Sequence, residues 1–155
     1  MISNSTPLIF LSKINKLNFL KQLFKTLIIP EDVKKEVLKE NKPDSISIKR
    51  SIEEGWIKVK DPKDNKDLQL GTGENAAINL ARENADSLII DAALGIKVAQ
   101  EFNIKTLRTT TIIFMAVNKK IIDKEQAIIL VNKLIENGYY ISNEYYAKIL
   151  TKLKD

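Results

Sequence analysis

The chain has 155 residues, 44% hydrophobic and 29% charged, with a net charge of +5 and a pI near 9.3. Residues 1–155 are therefore read as a single domain; no apolar run approaches the roughly 18 residues of a membrane span and the start lacks a secretory signal, so no membrane contact and a cytoplasmic location are expected. Zero Cys and zero His exclude disulfides, thiol nucleophiles, imidazole bases and ordinary zinc sites, leaving hard oxygen ligands that suit Mg2+ or Mn2+, while the basic balance favours a polyanionic partner.

Strand-like apolar runs alternate with helix-like periodic segments, the pattern of a parallel sheet covered on both faces, and the expected class is α/β. The first strand occupies residues 1–4 and runs into a polar turn at Asn4. Pro7 and Pro30 each preorganise a helix start nearby, with a strand at Leu27-Ile28-Ile29 between them. On the helix after Pro30, Val33 and Val37 define the buried stripe. Glu36 falls at its edge, about 60° from Val33, while Lys35 points the opposite way. Glu40 lies nearer the stripe at the end of the helix and rivals Glu36. The segment from Asn41 to Glu54, with Pro43 and serines ahead of a charged stretch, carries breaker signals. Both it and the polar loop from Asp61 to Asp67 are too short for a domain linker.

A third strand follows at Ile57-Lys58-Val59. Glu74 then opens a helix in Gly71-Thr72-Gly73-Glu74-Asn75-Ala76-Ala77-Ile78, with Thr72 as a candidate cap; the two glycines match neither a dinucleotide fingerprint nor a phosphate loop. The strand Leu88-Ile89-Ile90 ends in Asp91 ahead of a helical segment beginning Ala92-Ala93, and a short strand follows at Lys105-Thr106-Leu107. The chain closes with two helices. One runs from about Asp123 to Asn137, with Ala127, Ile128, Val131, Leu134 and Ile135 on one face and Gly138 as its stop; the other runs from Ser142, an N-cap, to about Lys152. On the last helix Tyr145, Tyr146, Ile149 and Leu150 form either a self-association surface or packing within the monomer.

Each polar position near a strand end has an ordinary structural explanation. Asp91 suits an N-cap, Glu74 suits the positive end of a helix dipole, Glu36 suits a solvated surface, and Asn4 suits a turn that bonds its own backbone. As a set they mean more, because strand ends and helix starts converge at one edge of an open α/β sheet. Carboxylates gathered there repel one another unless a cation lies between them, and metal-assisted phosphodiester hydrolysis is the matching reaction. The expectation is that Glu36, Glu74 and Asp91 surround one water-filled cleft. Asp91 should point into it and should cost stability rather than supply it.

Ile2-Ser3-Asn4-Ser5-Thr6-Pro7-Leu8-Ile9, Ile29-Pro30-Glu31-Asp32-Val33-Lys34-Lys35-Glu36-Val37, Gly73-Glu74-Asn75-Ala76-Ala77-Ile78 and Leu88-Ile89-Ile90-Asp91, in this order and spacing, resemble a PIN domain. The likeness covers nearly the whole chain and is strongest to small prokaryotic PIN-like proteins similar to the toxin nucleases of toxin–antitoxin pairs. It implies a three-layer α/β/α sandwich with a central, mostly parallel sheet, and an acidic cluster that binds Mg2+ or Mn2+ and cleaves RNA. Glu36, Glu74 and Asp91 match family acids, and Ser5 or Thr6 matches the hydroxyl after the first acid. Asn4 stands where the family usually has Asp, although members of this branch also carry Asn, and its carbonyl oxygen joins the catalytic and metal-holding set. Leu107-Arg108-Thr109-Thr110-Thr111 lacks the further Asp that many PIN enzymes carry. The implied function is a metal-dependent RNA endonuclease acting as a toxin, with RNA, an antitoxin protein and a second copy in a homodimer as partners. The competing reading is a catalytically degenerate PIN-like module that binds RNA or protein.

Overall fold

Very short strands build the sheet, so the helices packed on it carry most of the burial. The computed structural model describes residues 1–39 and 42–154. Among them, β1 (Ile2–Ser3), β2 (Leu27–Ile29), β3 (Ile57–Val59), β4 (Leu88–Ile89) and β5 (Thr106–Leu107) form one parallel sheet in the order β3-β2-β1-β4-β5. All five lie within the apolar runs that predicted them. Ile2 of β1 pairs with Ile28 on one side and Leu88 on the other, which makes β1 the centre. The chain builds outward from β1 to β3 and then returns to add β4 and β5 on the opposite flank. The order therefore reverses between β1 and β4, and a crevice opens beyond their carboxyl ends.

Helices α1 (Ser5–Lys13), α2 (Asn18–Phe24), α3 (Glu31–Leu38), α4 (Pro43–Glu53), α5 (Thr72–Asn84), α6 (Ala93–Glu101), α7 (Thr109–Asn118), α8 (Lys124–Glu136) and α9 (Asn143–Lys154) cover the sheet. Leu8, Leu20, Ile29, Val33, Ile112 and Leu134 belong to one core, on the side of α1 to α4 and α7 to α9. Ile78, Leu80, Leu88, Ile90 and Ile96 belong to the other, beneath α5 and α6. The result is the expected three-layer α/β/α sandwich. No helix among the described residues is long and apolar enough to cross a membrane.

Several elements depart from the sequence reading. The breaker-marked stretch after Asn41 is largely helix α4, because Pro43 occupies a first-turn position where its missing N–H costs nothing, and Ile48 anchors the helix in the core. Glu40 and Asn41 lie outside the described residues. Helices α2 and α7 had no counterpart in the sequence reading. Pro7 is the third residue of α1, and Pro30 is the residue before α3 rather than its first. The face of α8 is Ala127, Leu130, Val131 and Leu134, whereas Ile135 is exposed. The last helix packs inward: Ile149 is buried, the Tyr145 hydroxyl meets Thr110 Oγ1 at 2.8 Å, and the Tyr146 hydroxyl donates to Asn132 Oδ1 at 2.6 Å. Of the two readings for this helix, the contacts of Tyr145, Tyr146 and Ile149 are packing within the monomer.

Two helices borrow their N-terminal caps from a neighbouring strand end. Pro30 and Arg108 precede α3 and α7, and neither side chain can accept a hydrogen bond. Asp61, beyond β3, accepts from the Glu31 N–H at 2.9 Å, and Asp91, beyond β4, accepts from the Thr109 N–H at 3.0 Å. These long-range caps lock the helix starts above the carboxyl ends of the strands. The loop from Asp61 to Asp67 is tied to α5, whose Asn75 and Asn79 amides donate to Asn65 Oδ1 and the Lys66 carbonyl.

Candidate metal centre

Asn4 follows β1 directly, and its N–H donates to the Ile89 carbonyl at 2.9 Å, so the residue remains stitched to β4. It is 4% exposed and occupies the N-cap position of α1, yet its side chain caps nothing. Oδ1 is buried with no hydrogen-bond partner. An orphaned acceptor of this kind costs about 1–3 kcal/mol, which marks a place for a donor or a cation.

The adjacent Ser5 Oγ donates to Glu36 Oε2 at 2.6 Å. The other oxygen of Glu36 lies against Gly73, where an added Cβ would overlap it. A missing side chain in the first turn of α5 therefore lets the carboxylate sit at the positive end of that helix. Glu74, the next residue, turns towards α6: its Oε2 lies 3.1 Å from where a Cβ on Gly95 would be. Burial, and then the charge of Glu36, hold the Glu74 carboxyl above its ordinary value of 4.5. Two glycines thus make room for two electrostatically coupled carboxylates, with the Asn4 amide one residue from the hydroxyl that orients Glu36.

Asp91 is differently engaged. The residue before α6 is Ala92, so Asp91 does not cap the helix that follows it. Its Oδ1 accepts from the Thr109 N–H and the Tyr139 hydroxyl, and its Oδ2 accepts from Thr109 Oγ1 at 2.7 Å. Burial, and then Asp91 itself, push the Tyr139 phenol well above its ordinary value, which keeps it a donor. Phe10 meets the Tyr139 ring edge-on with centroids 5.2 Å apart. Among the described residues no three acidic side chains form a metal-holding group. Glu36 is near enough to Glu74 for its charge to raise that carboxyl, whereas both oxygens of Asp91 are engaged by Thr109 and Tyr139. Three donors also make Asp91 a source of stability, contrary to expectation.

Sequence reasoning passed over Gly73 and Gly95 as sites of close approach, Thr109 as a partner of Asp91, and Tyr139 altogether. A glycine inside a helix, as at Gly95, is a readable signal of close approach, since it costs about 1 kcal/mol against Ala. Nothing local announces Tyr139. Thr72 is the first residue of α5 rather than its cap, which is Gly71.

Beside Glu36 lies a cavity of about 240 Å3 lined by Lys13, Lys39 and Lys42. Two carboxylates and one amide oxygen fit a hard divalent cation, with water completing its shell. An all-parallel sheet in this order, with paired acids beside its switch point, is a nuclease-type α/β sandwich. The whole chain, residues 1–155, matches the family model DUF3368, a PIN domain, and the protein belongs to the PIN-domain family. Neither the curated proteins nor the solved structures contain a match to it.

Proposed function

We propose that this PIN domain is a metal-dependent RNA endonuclease in which Glu36, Glu74 and Asn4 hold a Mg2+ or Mn2+ ion. The observation that carries the reading is the electrostatically coupled pair Glu36 and Glu74, with the orphaned Asn4 oxygen one residue from the Ser5 hydroxyl that holds Glu36. The ion would supply an activated water and charge stabilisation for in-line phosphodiester cleavage. Ser5 and the start of α5 fix one carboxylate, so little reorganisation is needed when a cation arrives. Glu74, whose charge is disfavoured by burial and by Glu36 when no cation is bound, would gain from a cation placed between the two carboxylates. Lys13, Lys39 and Lys42 receive phosphates on the Glu36 side. Asp91 is a positioning residue that ties the approach to α6 and the start of α7 to Tyr139, beyond the end of α8. The finer assignment, a toxin held by an antitoxin and able to form a homodimer, rests on the family likeness.

Incubation with mixed single-stranded RNAs and Mn2+ tests the reading. Cleavage should require the metal, stop in chelator and fall by about a hundredfold in Glu36→Gln and Glu74→Gln. Asn4 in place of an acid, together with the saturated Asp91, favours a second reading: a degenerate module that binds RNA without cutting it. Salt-sensitive RNA binding with no cleavage at any Mn2+ concentration would select that reading over the first.

A further inference from the structure

Two buried side-chain oxygens among the described residues have no hydrogen-bond partner: Asn4 Oδ1 in the acidic centre and Ser12 Oγ. Ser12 is 5% exposed and lines a separate cavity of about 290 Å3 bounded by α1, α2, α4 and the approach to β3. Seven residues separate Ser5 from Ser12, which places them on the same face of α1 about 10 Å apart. Leu17 and Trp56, both buried, form an apolar floor. Ser51 beside them is already satisfied, donating to the Ser47 carbonyl at 2.9 Å.

The mouth of this cavity carries Arg50 and Glu54, four residues apart and both exposed. Arg ahead of Glu is the poorer order for a helical pair, and no ion pair forms between them. Glu54 is also the C-cap of α4, where the helix dipole disfavours a carboxylate. The helix dipole accounts for Arg50, in the last turn of α4, but not for Glu54. A guanidinium and a carboxylate above an apolar floor with a spare hydroxyl would not both be matched by any single inorganic ion. They do match a flat heterocycle with an acceptor edge and a donor edge. Guanine has that combination: N7 and O6 suit the fork of an arginine, and its N1–H and N2 amino donors suit a carboxylate. We propose that this cavity binds a guanine base. The volume suits one unstacked base, as single-stranded RNA presents it. The inference stands on the cavity and does not depend on metal at the acidic centre.

Trp56 is the only tryptophan in the chain and lies in the cavity, so its emission reports occupancy directly. The whole protein, kept in chelator, would be titrated with guanosine, adenosine, cytidine and uridine monophosphates. Two uridine hexanucleotides, one with a single internal guanosine, would follow. Guanosine monophosphate should shift the emission with at least about tenfold tighter affinity than the other three, and Glu54→Gln and Arg50→Ala should each remove about tenfold. Both substitutions are at exposed, unpaired positions, and circular dichroism would confirm the fold. A guanosine-containing uridine hexamer that binds more tightly than the free nucleotide assigns the base to an RNA chain; the reverse order assigns it to a free nucleotide. No emission change at millimolar nucleotide, equal affinity for all four, or a preference that survives both substitutions would overturn the proposal. Because no metal is present, failure here leaves the nuclease reading intact, and a protein that cuts no RNA leaves this site intact.

Discussion

Glu36 and Glu74, as a pair, and Asp91 are all acids near the carboxyl ends of the strands, yet their surroundings are opposite. The pair has one hydroxyl donor, Ser5, and two glycines that give it space; each charge is set against the other. Asp91 has three donors, from Thr109 and Tyr139, and joins three segments. A carboxylate short of donors beside a like charge waits for a cation, whereas a saturated one is part of the framework. Position at a strand end is therefore insufficient evidence of a metal ligand, and the partners decide.

The largest effect should come from Asp91→Ala, which leaves three donors unpaired and removes the cap of α7. A loss of about 3 kcal/mol is expected, or roughly 10 °C in melting temperature, with or without metal. A wild-type melting curve would erase the contrast between the two regions. Tyr139→Phe isolates one of those donors and should cost about 1.5–2 kcal/mol in a denaturant titration, since the bond goes to a charged acceptor.

Gly73→Ala works on the other region. Its Cβ takes the place of a flexible carboxylate, so the fold should lose less than about 1 kcal/mol while Glu36 is displaced. The stabilisation by Mg2+ expected of the unaltered chain should shrink at least tenfold in apparent affinity, as measured by metal-dependent thermal shift. If the metal response is unchanged, Glu36 is not a ligand.

The smallest effect, and the one of opposite sign, belongs to Glu74→Gln. Without metal it should raise the melting temperature by roughly a degree, a modest gain because the group is partly solvated. The pH dependence carries the same information. The folded pKa of Glu74 lies above its ordinary 4.5, so the fold holds that proton more tightly than the unfolded chain does. The stability from this preference is present below about pH 4.5 and is lost as pH rises through the folded value. The metal-free protein should thus lose stability on the alkaline side of 4.5, Glu74→Gln should remove that slope, and Mg2+ should offset the loss near neutrality. A slope that persists in Glu74→Gln would place its origin at another group.

Local pattern was enough to determine the strands, because each is a short apolar run flanked by polar turns, and alternation with helical periodicity implies a parallel sheet. It also revealed the stop of α8 at Gly138 and the cap at Ser142, whose Oγ accepts from the Tyr145 N–H at 3.1 Å. Helix α7 was illegible: Thr109-Thr110-Thr111-Ile112-Ile113 is rich in β-branched residues, and its cap lies 18 residues away in Asp91. Tertiary packing overrode the propensity there. The sequence nominated Asn4, Glu36, Glu74 and Asp91 because all four sit near strand ends or on neighbouring helices. Only the folded chain could sort them, since Glu36 lies against Gly73 within electrostatic reach of Glu74 while Asp91 meets Tyr139 from 48 residues away. The physical reason is that a carboxylate's role depends on its donors and neighbouring charges, and these come from segments distant in the chain.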